Sequence, residues 1–83
     1  MSQYAQYILI VFKGHTHYAG NYNCSLEELK AKVKNMVVRT TGLTLFIIVP
    51  VAPTQGVNVF LDNNGDEVTE EDFAVLKLLL PWP

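Results

Sequence analysis

Tyr7-Ile8-Leu9-Ile10-Val11-Phe12 is an unbroken apolar run, rich in β-branched and aromatic residues, with Gly14 close behind it. Its length and composition suit a strand better than a helix. Side chains alternate along a strand, so Tyr7, Leu9 and Val11 oppose Ile8, Ile10 and Phe12. Both faces are apolar, and the run reads as a central strand covered on both sides. Residues His15 to Tyr22 alternate weakly and read as a second, edge strand, joined to the first as a hairpin at Gly14.

Working outward, Ser25-Leu26-Glu27-Glu28 is a capping box, in which the serine hydroxyl and the Glu28 carboxylate each reach the other residue's backbone amide. Leu26, Leu29, Val33, Met36 and Val37 then recur at helical spacing. Thr40-Thr41-Gly42 is the expected stop, with Gly42 as a left-handed cap. Leu43 to Val49 is a second strand apolar on both faces, and Pro50 should end its regular pairing. Val57 to Leu61 reads as a third strand. Asn63-Asn64-Gly65-Asp66 carries the Asn-Gly signal of a tight hairpin turn. Thr69 caps a last helix that runs to about Leu80, where Pro81 stops it.

The expected architecture is a single α+β domain over residues 1–83. It has a small mixed sheet of three or four strands and two helices, in the order β(β)αββα. The unit from Tyr7 to Val49 reads as a strand–helix–strand crossover with the two apolar strands parallel and adjacent. The first helix covers only one face of such a sheet. The last helix is apolar nearly all round: Phe73, Ala74, Val75, Leu76, Leu78, Leu79 and Leu80. Either it is sandwiched, or its outer side meets a partner.

Composition narrows the function. The chain has 83 residues, 49% hydrophobic and 17% charged, with a net charge of −2. It is too apolar for disorder and lacks the positive excess of a dedicated nucleic-acid binder. The apolar stretches Leu43–Ala52 and Phe73–Leu80 fall short of the ~18–20 residues that span a membrane. No signal peptide is expected. One unpaired cysteine, Cys24, fits a reducing compartment, so the expected location is cytoplasmic.

No motif points to catalysis, and no cofactor is expected. His15, His17 and Cys24 supply three metal-ligand types in one segment, the basis of a rival reading as a small metal-binding or thiol protein. Asp62, Asn64 and Asp66 start a calcium-loop spacing, which fails at Glu67 and Phe73. Charge is unevenly distributed: Asp62, Asp66, Glu67, Glu70, Glu71 and Asp72 cluster in eleven residues, while Lys13, Lys30, Lys32, Lys34 and Arg39 lie in the first half.

The favoured expectation is a small non-enzymatic protein-interaction module, a regulator or inhibitor of the kind phages also carry. It would dock on a partner protein through that acidic segment, through Tyr18, Tyr22 and Trp82, or through the apolar last helix. Homodimerisation is a related expectation. A further rival is a weak nucleic-acid binder using the basic helix face, although nucleic acid is not the expected partner. No membrane partner is expected.

Overall fold

A computed structural model of the chain describes residues 5–14, 16–39 and 43–80. The opening apolar run lies within β1, Ala5–Lys13, and the weakly alternating segment forms β2, Thr16–Cys24. Only Gly14 and His15 separate them. Gly14 adopts a φ of 63°, the left-handed conformation that a two-residue hairpin connection demands. The pairing runs without interruption from Lys13↔Thr16 to Ala5↔Cys24.

The capping box forms as the spacing predicts. The Glu28 amide donates to Ser25 Oγ at 3.1 Å, and the Ser25 amide donates to Glu28 Oε1 at 3.2 Å. Helix α1 then spans Leu26–Arg39, with Leu29 and Val33 fully buried. The expected stop at Thr40, Thr41 and Gly42 lies outside the described residues. Ser25→Ala leaves the first-turn amides without this acceptor and is expected to cost about 1 kcal/mol in chemical denaturation. A Ser25→Asp variant should recover most of that loss.

Strand β3 is Thr44–Pro50, followed by a short 3-10 turn, Pro53–Gln55. The parallel pairing expected for the two apolar strands is not formed. β3 pairs antiparallel to β1, from Lys13↔Thr44 to Tyr7↔Pro50. The cause is β2, which returns the chain to the start of β1 before α1 begins. The helix therefore carries the chain back up, and β3 comes down beside β1. The parallel strands that α1 connects are β2 and β3, with β1 between them. Pro50 ends β3 as expected, and one further bond, from the Val51 amide to the Gln6 carbonyl, extends the contact.

Strand β4 is Val59–Leu61, and a two-residue β5, Glu67–Val68, adds to its far side. All neighbouring pairs are antiparallel, in the order β2-β1-β3-β4-β5. The sheet is thus five-stranded and antiparallel, not a mixed sheet of three or four strands. The Asn-Gly signal does mark a hairpin, between β4 and β5. Its residues with positive φ do not include an asparagine. Gly65 alone takes that role, at φ 79°. The Gly65 amide donates to the Asp62 carbonyl and the Asp62 amide to the Asp66 carbonyl. That pattern is a three-residue loop closed by a glycine bulge.

Two cores form on opposite faces. On one, Leu9, Val11, Phe46, Ile48 and Leu61 pack with Cys24 beneath Leu29 and Val33 of α1. On the other, the last helix α2, Glu70–Lys77, seats Phe73 on Phe12 and Phe60, with Leu45 and Leu80 in the same cluster. Thr69 caps α2, accepting from the Asp72 amide at 3.1 Å. Three turn bonds, from the amides of Leu78, Leu79 and Leu80, carry the chain to Leu80. The expected stop at Pro81 lies outside the described residues.

Candidate functional site

Helix α2 has two apolar sides with different surroundings. Phe73, Leu76 and Leu80 turn toward the sheet. Val75, Leu78 and Leu79 turn away from it, 61%, 77% and 68% exposed. Leu78 and Leu79 lie in the turn just beyond α2, where their amides donate to the Val75 and Leu76 carbonyls, so the three sit together at the C-terminal end of the helix. Lys77 does not interrupt this side, because its Nζ lies 4.7 Å from the centre of the Phe12 ring. The side expected to be sandwiched or to meet a partner is exposed in the single chain, and the helix itself ends at Lys77, short of the expected Leu80.

The acidic cluster divides. Asp66 Oδ1 is 2.9 Å from Lys34 Nζ, and Glu67 Oε1 is 3.1 Å from Lys30 Nζ. Asp62 Oδ1 accepts from the amides of Asn64 and Asp66, both at 2.9 Å. These three acids hold the β4–β5 hairpin and tie it to α1. Gly65 is part of this junction: a Cβ there would stand 3.1 Å from Lys34 Cγ. Glu70, Glu71 and Asp72 are exposed in the first turn of α2, with no side-chain ion pair among the described residues. Helical spacing sets Glu71 and Asp72 one turn before Val75 on the same side, while Glu70 lies toward Phe60 and Val68 of the sheet. Glu71 and Asp72 thus lie at the start of the side on which Val75, Leu78 and Leu79 are exposed.

The same ion pairs divide the basic helix face. Lys30 and Lys34 meet the hairpin acids, while Lys32 and Arg39 stay exposed beside Tyr22.

His17 and Cys24 are not brought together. They stand seven residues apart on β2, roughly 23 Å along the strand, and odd spacing puts them on opposite faces. His17 is exposed, its ring centre 6.0 Å from that of Phe12. Cys24 is buried in the α1 core as a small apolar side chain. His15 lies outside the described residues, and no group of three potential metal ligands occurs among those described.

Tyr18 and Tyr22 belong to the strand β2, not to a loop. Both face the α1 side of the sheet, Tyr18 largely exposed and Tyr22 half-buried against the core. Trp82 lies outside the described residues. Among those residues, no helix is long and apolar enough to cross a membrane. Comparison with protein-family models, with curated proteins and with solved structures finds no match.

Proposed function

We propose that the protein is a non-enzymatic interaction module, a regulator or inhibitor that docks on a partner protein through the outer side of α2. The observation that carries this reading is the patch of Val75, Leu78 and Leu79 held outward while Phe73 anchors α2 inward. Exposed apolar patches of this kind on a well-packed element are typical of docking surfaces. The complementary partner surface is an apolar groove with basic residues at the end that meets Glu71 and Asp72. Enclosing each aliphatic side chain contributes on the order of 1.5–3 kcal/mol, and the acids orient the encounter. A reducing compartment such as the cytoplasm suits the free Cys24.

The test is affinity capture from the source cells with wild type and with the double substitution Leu78→Lys, Leu79→Lys. These positions are exposed, so folding should change by no more than about 0.5 kcal/mol each, while capture of the specific partner should fall at least tenfold. Reversing Glu70, Glu71 and Asp72 to lysine should slow association and alter its salt dependence. A partner held equally well by the double variant would refute docking through α2.

A further inference from the structure

The two edges of the sheet differ. One ends in β5, two residues long and carrying Glu67. The other is β2, nine residues long, about 30 Å, with no strand beyond it among the described residues. β2 has none of the features that usually keep an edge from pairing. It contains no proline, lysine, arginine or acid, and its register with β1 has no bulge. Alternate residues of such an edge direct their amides and carbonyls outward.

From this edge we infer that the protein forms a symmetric dimer by antiparallel pairing of β2 with β2 of a second copy, about a two-fold axis at Gly20. The surface is distinct from the α2 patch and goes beyond the docking proposed for it. One pair of identical residues is placed symmetrically about Gly20. Tyr18 and Tyr22 lie two residues to either side, with Ala19 and Asn21 between. The two-fold axis sets Tyr18 of each chain opposite Tyr22 of the other, with Cβ atoms about 4.5–5.5 Å apart.

A groove of about 290 Å³ lies where that ring would enter, lined by Tyr22, Lys32, Asn35, Met36 and Arg39. Tyr18 is 57% exposed and on the same face. The aromatic ring accepts cation–π contact from Lys32 or Arg39 and packs on the Met36 sulfur. β2 itself is uncharged, and the acid-rich hairpin and α2 start lie across the sheet at the β4–β5 edge. Pairing through β2 therefore keeps the two acidic segments apart.

Gly20 supplies a register-specific test. It has no positive φ, and a Cβ there meets only the Tyr22 ring, at 3.5 Å, so a side chain is tolerated within one chain. In the dimer it would face its own copy. The measurement is molar mass by sedimentation equilibrium over a wide concentration range, with circular dichroism to verify folding. Wild type and Leu78→Lys, Leu79→Lys should dimerise. Gly20→Asp and Gly20→Lys should each be monomeric, and their equimolar mixture should recover the dimer. Tyr18→Phe should retain it and Tyr18→Lys lose it, which keeps the test decisive if a Gly20 variant folds poorly. The inference is overturned by a monomeric wild type at millimolar concentration, by Gly20 variants that dimerise alone, by a mixture that stays monomeric, or by a dimer lost only with the α2 substitutions.

Discussion

Phe73→Ala is expected to release α2 from the sheet and to abolish partner docking. Phe73 is the one buried side chain of an eight-residue helix. Its ring centre lies 5.1 Å from that of Phe60 and 6.0 Å from that of Phe12. Truncating such a residue costs about 3–5 kcal/mol. A helix this short has little stability of its own in water and depends on packing. The loss should therefore be uneven. Hydrogen exchange should show α2 amides losing protection first, while α1 and β1–β3 stay protected under mild conditions. If α2 amides kept wild-type protection, the anchoring assigned to Phe73 would be wrong. The exposed patch would lose its shape together with the helix, so capture of a partner should fail even though Leu78 and Leu79 are intact.

The second large effect is expected on the opposite face. Phe46 is fully buried in mid-β3, opposite Val11 on one side and Leu61 on the other. Leu29 and Val33 of α1 belong to the same core. Phe46→Ala should also cost about 3–5 kcal/mol, but globally. A domain of this length has a total stability on the order of 4–12 kcal/mol, so the loss takes at least about a quarter of it. Thermal unfolding should shift down by more than about 12 °C. Phe46→Leu should recover much of this. A shift of only a few degrees for Phe46→Ala would show that the α1 face does not dominate stability.

The local elements were legible because each rests on neighbours in sequence. Ser25 and Glu28 are three residues apart, and so are Thr69 and Asp72. The alternation in Tyr7–Phe12 assigns the two faces correctly, with Leu9 and Val11 under α1 and Phe12 on the α2 side. Strand direction was not legible from those signals. It turned on whether the weak segment after Gly14 is a full strand, and β2 proved as long as β1. That one element reverses the chain and makes the β1–β3 pair antiparallel. β5 has only two residues and no apolar run, so nothing local announces it.

The candidate site was legible in part for the same reason. The apolar run from Phe73 to Leu80 is a local property, but α2 ends at Lys77, and Leu78, Leu79 and Leu80 fall in the turn that follows. The i, i+3, i+4 spacing of Val75, Leu78 and Leu79 was the available signal for their shared outer side, which the acidic residues overshadowed. The fate of those acids depends on distant partners. Asp66 meets Lys34 across 32 residues and Glu67 meets Lys30 across 37. A count along the chain sees six acids together. In three dimensions, three of them serve the hairpin and three are exposed in the first turn of α2.

The most direct test of docking through α2 is site-specific photocrosslinking in the source cells, with a photoreactive phenylalanine analogue at position 79 and a control at position 38. Val38 is 83% exposed on α1, so both probes are accessible and only their placement differs. The expected result is one discrete crosslinked protein from position 79, absent at position 38 and lost when Leu78→Lys is added. No adduct at position 79, or the same adduct from both positions, would contradict docking through α2.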